Sequence, residues 1–240
     1  MPDLLEGRLE EVESRVAAAA RRSGRDPQAI TLVMVTKRQS VEQMLAVQEY
    51  CRRRAAQVVF GESYVQEFKK KKELLAPGYE VHLIGSLQSN KVRDAVRLFD
   101  VIESVHCAEI ARLISKEAAR AGKIQKILLQ VNVSNDPAKH GFPPQELGAF
   151  VCGQLPKLTH IDCLGLMTIT RLYERPEDVR SDFRTLKRLA MELQTLEPLA
   201  TMLRGKPFGL SMGMSQDFEI AIEEGATWVR VGTALFGERR

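Results

Sequence analysis

The 240-residue chain has one tryptophan and four cysteines, and aromatic side chains make up only 6% of it. Each shortage excludes something. The cysteines, at 51, 107, 152 and 163, form no C-x-x-C pair and share no zinc-ligand spacing with histidine, so no metal site is expected. Reduced, mostly buried thiols in a cytoplasmic protein account for them. Few aromatics are available to stack on bases, and the net charge of +4 is modest, so nucleic acid is not expected as a partner. The basic clusters Arg52 to Arg54 and Lys69 to Lys72 lie in helix-like stretches and read as solvated faces. No apolar run reaches the roughly 18 residues of a membrane span. The opening MPDLLEGRLEEVESR is acidic and helical, unlike a basic-then-apolar leader. Gly-x-Gly-x-x-Gly and P-loop patterns are missing, which argues against a nucleotide on a Rossmann or Walker site. Linkers, low-complexity tracts and internal repeats are missing too. The expectation is one domain over residues 1–240, soluble, cytoplasmic and monomeric, with neither nucleic acid nor membrane as a partner.

What is present is a rhythm. Short β-branched, apolar runs recur at 30–36, 58–61, 81–85, 101–105, 127–133, 161–169, 207–211 and 228–232. Their near-continuous apolarity marks strands covered on both faces, as in parallel sheets. The stretches between them carry helical periodicity. Residues 41–54 place Val41, Met44, Leu45 and Val47 on one side, and 107–121 do the same with Ile110, Leu113, Ile114 and Ala118 before Gly122. Residues 177–195 space Phe183, Leu186, Leu189 and Leu193 at three- and four-residue steps. Ser215 reads as the N-cap of the last full helix, which Gly225 ends, and an extra helix at about 3–22 precedes the first strand. Eight alternations predict an α/β fold, a single (β/α)8 TIM barrel with an extra N-terminal helix; a doubly wound open sheet is the alternative.

In such a barrel, chemistry sits where strands end. Strand one delivers Lys37 there. An amine that leaves an apolar strand for partly desolvated surroundings loses part of its proton, which a Schiff-base lysine requires; a lysine snorkelling into water is the plainer alternative. Strands seven and eight end in Gly209, Ser211, Gly213, Ser215, Gly232 and Thr233. Glycines that let backbone N–H groups approach an anion, with small hydroxyls beside them, are the parts of a phosphate site in this fold. The four histidines have no mutual metal spacing and read as structural or surface groups. Glu62 and Glu103, at or inside strands, could be acid/base groups but more commonly partner internal Arg or Lys.

The residues VTK ending at 37, FGESYVQE at 60–67, HLIGSLQSNK at 82–91, GLMTI at 165–169, LSMGMS at 210–215 and EEGATWVRVGTALFG at 223–237 run in order along nearly the whole chain. Together they resemble the pyridoxal-phosphate homeostasis protein family, whose barrel is shared with alanine racemase. The resemblance implies pyridoxal 5′-phosphate as cofactor, held as a Schiff base on Lys37. It implies phosphate contacts from Ser211, Gly232 and Thr233, and Arg230 against the pyridine nitrogen, where it weakens the ring as an electron sink. Met167 and Met214 would lie near the ring or the pocket wall. One position departs: the family usually has asparagine where this chain has Ser63, which has one donor where the amide has two.

The resemblance implies a cofactor carrier, cytoplasmic, that limits free aldehyde and supplies apo-enzymes dependent on pyridoxal phosphate, with no catalytic residues. The alternative is an enzyme such as an amino-acid racemase. Racemases of this barrel type add a second acid/base tyrosine from a further β-domain, for which the chain after strand eight has no length. Tyr50, Tyr64, Tyr79 and Tyr173 all precede strand seven, and none takes that role from sequence.

Overall fold

The computed structural model describes residues 2–237. Eight strands, β1 (Thr31–Val35), β2 (Val59–Glu62), β3 (Glu80–Leu83), β4 (Val101–Val105), β5 (Gln125–Gln130), β6 (Ile161–Met167), β7 (Gly209–Ser211) and β8 (Trp228–Val231), close into a barrel in sequence order. Every pairing is parallel, and β8 returns to β1 in the register Thr31↔Trp228 to Met34↔Val231. The expected TIM barrel forms, and its closure rules out the open sheet. Strand five stops at Gln130, short of the expected Val133; just beyond it Val131 bridges Phe142 while its N–H still donates to Met167 O at 2.8 Å.

Around the strands lie α1 (Pro2–Arg22), α2 (Val41–Arg53), α3 (Val65–Lys71), α4 (Val92–Leu98), α5 (Ala108–Arg120), α6 (Pro144–Gly153), α7 (Arg180–Leu193), α8 (Glu197–Leu203), α9 (Phe218–Glu223) and α10 (Thr233–Phe236). Their apolar stripes form the larger core against the outer faces of the strands. In α1 the stripe is Leu9, Val12, Val16, Ala19 and Ala20, at helical spacing, and the helix packs on α2, α9 and α10. Arg15 fastens it to α9 through two hydrogen bonds to Glu219, at 3.2 and 2.9 Å.

Two local expectations differ. The last full helix begins at Phe218 with Asp217 at its N-cap position, and Ser215 stands two residues before that cap, hydrogen-bonded elsewhere. Lys71 is not on a solvated face: it is 8% exposed, while Lys69 and Lys70 beside it are exposed. The thiols are all free, with Cys51 and Cys163 buried, Cys107 half-buried and Cys152 exposed.

The barrel interior is a second, separate filling. A side chain at Gly61 would meet Val33, Val35 and Ile84, so these three converge inside the barrel. Strand alternation then turns His82, Glu103, Ser211 and Arg230 inward as well. Hydrogen bonds among them confirm it, since β3, β4, β7 and β8 are not all neighbours. His82 Nδ1 lies 2.6 Å from Glu103 Oε1 and its Nε2 lies 3.3 Å from Glu80 Oε1. Ser211 donates to Glu103 Oε2 at 2.5 Å and accepts from Arg230 Nη1 at 2.6 Å. Glu62 and Glu103 are thus both internal carboxylates paired with cations, by Lys71 and by His82 and Arg230 respectively.

Burial pushes the pKa of His82 down, but hydrogen bonds to Glu103 and Glu80 outweigh it and raise it to about 9. Glu103 is pushed up by burial and brought below the ordinary carboxylate range by His82 and Arg230. Both ring nitrogens of a charged imidazolium can donate, which suits an acceptor on each side. Because the folded-state value lies above the unperturbed value of about 6.5, the stabilisation is complete below that pH and lost as pH rises through the folded value. Urea unfolding should therefore show wild type losing on the order of 3 kcal/mol between pH 6.5 and 9.5 relative to a His82→Gln variant. A stability gap that does not change across that window would mean that His82 is neutral in the fold.

Candidate functional site

At the C-terminal ends of the strands a cavity of 550 Å³ opens. Its floor is apolar, from Val35 and Ile84, and its walls come from Ile169 to Tyr173, Met214 to Asp217, and the end of β8. Among the described residues, Lys37, Arg171 and Arg230 bring positive charge, against the one carboxylate of Asp217. Such a lining suits a small anion with an apolar body.

Lys37 continues the inward side of β1, two residues beyond Val35, and is half-buried. The chain turns sharply there: Gln39 N donates to Thr36 O at 3.0 Å, so Lys37 occupies the second position of a tight turn. Arg38, in the third, has φ +61°, the sign that a type II turn demands and that glycine or asparagine ordinarily supplies.

Arg230 is 3% exposed yet reaches the cavity wall. Nη1 donates to Ser211 Oγ and Nη2 to Thr168 O, both at 2.6 Å, so its plane is fixed from two strands. Burial lowers its pKa and Glu103 and Asp217 oppose that, and a guanidinium remains charged throughout.

The loops after β7 and β8 meet at Ser215, whose Oγ accepts from Gly232 N at 3.2 Å and from Ala234 N at 3.3 Å. Gly213 makes the approach possible. At φ +89° it reverses the chain, and a side chain there would meet Ala221 Cβ at 2.5 Å. Asp217 Oδ1 accepts from Met214 N at 2.6 Å; burial pushes the Asp217 carboxyl up. Backbone N–H groups, the Ser215 hydroxyl and Thr233 are thereby gathered along one wall.

Of the residues singled out from sequence, Lys37, Arg230, Gly232, Thr233 and Met214 line this cavity together. Ser211 and Met167 do not. Both are fully buried, and the Ser211 hydroxyl is committed to Glu103 and Arg230. Ser63 lines the cavity at the position of the unusual hydroxyl. Sequence reasoning missed Gln39, Arg171, Tyr173 and Asp217. Tyr173 donates to Asp182 Oδ2 at 2.7 Å, and the Arg171 guanidinium stacks 4.7 Å from its ring centroid. Both come from an irregular segment after β6, which no periodicity marks.

Residues 8–240 match the family model described as alanine racemase, N-terminal domain. The pyridoxal phosphate homeostasis protein of Aquifex aeolicus is 40% identical over 234 residues, covering 97% of each chain. PipY of Synechococcus elongatus, in its structure with PLP bound, superposes with a TM-score of 0.80 at 36% identity, over 97% of this chain and all of that one. An alanine racemase of Clostridium difficile shares the fold at TM-score 0.70 and 16% identity; this chain covers 56% of it. With this barrel, this cavity and these relatives, the chain belongs to the pyridoxal phosphate homeostasis protein family.

Proposed function

We propose that this protein holds pyridoxal 5′-phosphate in the cavity at the barrel mouth as a Schiff base on Lys37, and that it acts in cofactor homeostasis without substrate turnover. One observation carries the reading. A half-buried lysine opens into the same cavity as the Gly232–Thr233 turn, Ser215 and a fixed arginine. The amine would condense with the aldehyde and release water, a reversible attachment suited to storage. The names of the relatives and the PLP in PipY support the same conclusion.

Each wall has a part. Gly232 and Thr233, with Ser215, would receive the phosphate, while Ser211 acts one step behind by orienting Arg230. The guanidinium of Arg230 has donors and no proton to give up, so against a pyridine nitrogen it leaves the ring unprotonated. Val35, Ile84 and Met214 offer apolar contact for the ring, and Met167 supports that wall from beneath. Tyr173, the cavity's tyrosine, directs its proton to Asp182, and burial together with that bond raises its pKa. It is therefore poorly placed to exchange protons with an amino acid. Apo-enzymes dependent on the cofactor are the proposed recipients.

Borohydride reduction of the loaded protein should attach the cofactor irreversibly at Lys37, and Lys37→Ala should abolish the visible absorbance with the barrel intact. A reduced adduct mapped by mass spectrometry to Lys91 or another lysine would reassign the site.

Ser215→Ala and Thr233→Val each remove one hydroxyl donor to a charged acceptor, about 1.5–3 kcal/mol. Titrations should show weaker binding of pyridoxal phosphate and little change for unphosphorylated pyridoxal; equal loss for both ligands would mean that this wall does not meet the phosphate.

Incubation of the loaded protein with alanine or serine should give no racemisation above that of free cofactor. Multiple turnovers that vanish in Lys37→Ala would replace the carrier with an enzyme.

A further inference from the structure

Lys37 is flanked by two residues whose backbones are both gripped by the next βα unit. Lys71, the last residue of α3, is buried. Its ammonium donates to Thr36 O at 2.9 Å and to Glu62 Oε1 at 3.0 Å, and it forms an ion pair with Glu67 Oε1 at 2.5 Å. Glu67 Oε1 also accepts from Arg38 N at 2.5 Å. The residue before Lys37 is thus held through its carbonyl and the residue after it through its N–H. Thr36 is fixed further by its hydroxyl, which donates to Glu62 Oε1 at 2.9 Å, and by its N–H, which donates to Gly61 O.

This investment is larger than a helix–strand contact requires. Glu62 is wholly buried, and its second oxygen has no hydrogen-bond partner among the described residues. Apolar side chains would pack α3 on the barrel without desolvating a carboxylate and an ammonium. What an apolar pair could not do is hold the left-handed backbone of Arg38 in place, a conformation that persists in a non-glycine residue only where surroundings over-determine it. The grip falls on the two peptide groups that define the turn.

We propose that Lys71 and Glu67 are a positioning pair that holds the strained turn 36–39 so that the Lys37 amine stands ready for the aldehyde. Neither residue lines the cavity. The proposal rests on Lys37 being the attachment point. It concerns bond formation at that amine and not the phosphate wall, which lies on β7 and β8.

Two ligands separate these roles. Pyridoxal 5′-phosphate can form the imine; pyridoxine 5′-phosphate carries an alcohol in its place and can only bind. In Lys71→Met, affinity for the aldehyde should fall by about tenfold, since small misplacements of a reacting group are costly, while affinity for the alcohol stays within about twofold. Glu67→Ala should shift the same ratio, and Glu67→Gln, which keeps an acceptor oxygen, should restore it towards wild type. If Lys71→Met does not fold, Glu67→Ala decides, because that carboxylate is partly exposed. Where the wild type forms the visible band, equal loss for both ligands or an unchanged ratio in the variants would overturn the positioning role alone. A wild type that binds both ligands alike and shows no band would overturn the Schiff-base reading, and this proposal with it.

Discussion

A carboxylate at the centre of the barrel governs what the rest of the structure can do. Glu103 is completely buried, and it stays ionised because a charged His82 lies against one oxygen while Ser211 and Arg230 answer the other. A barrel interior is ordinarily filled by layers of apolar side chains. Here those layers are interrupted by a polar column that runs from Glu80, at the start of β3, up to the cavity. Remove the carboxylate and Arg230 and His82 both lose their shared buried counter-ion, in a medium that penalises uncompensated charge heavily, and His82 keeps only Glu80. Arg230 can therefore present a positive charge at the cavity wall, in a fixed plane, because the compensation is built beneath it.

The two sides of the strands divide the labour. Outward residues, such as Met34, Phe60, Leu83 and Val231, join the large core under the helices, which secures the barrel. Inward residues set the floor and the charge of the site. At strand ends the alternation is put to use: Val35 and Lys37 lie on one side, Thr36 on the other, and Thr36 is where α3 takes hold. Glycine makes the equivalent junction on β7 and β8, where Gly213 reverses the chain and brings Ser215 onto the N–H groups of Gly232 and Ala234.

Much of this was legible in the sequence, and the limits have physical reasons. Eight apolar runs separated by helical periodicity give the barrel, because burial on both faces leaves a signal that tertiary context does not reverse. Arg230 and Met214 come from the family resemblance, and Lys37, Gly232 and Thr233 from asking which residues stand at strand ends. Ser211 and Met167 satisfy the same criterion but stand one layer lower, and the depth of a side chain inside a barrel depends on stagger, which linear spacing does not encode. Lys71 was misread for a related reason: in a run of four lysines, composition predicts water around all of them. Only the position of α3 over the end of β1 shows that one of the four turns inwards. The segment carrying Arg171 and Tyr173 has no periodicity at all, so its place over the cavity could come only from coordinates.

The closure of the barrel has a temporal side. Lys37 follows the first strand and Gly232 follows the last, and the two stand together because β8 pairs with β1 across nearly 200 residues of intervening chain, from Met34↔Val231 at one end to Thr31↔Trp228 at the other. During synthesis the lysine emerges long before the loops it works with, so a nascent or half-assembled chain possesses the amine without the rest of the cavity. That amine meets the other walls of the cavity only with the final pairing, a long-range contact that is slow for a chain to find. Any molecule that binds across both strand ends adds its binding free energy to the closed state alone. Occupancy of the site thereby becomes a certificate of complete folding, and ligand and topology stabilise the same last step.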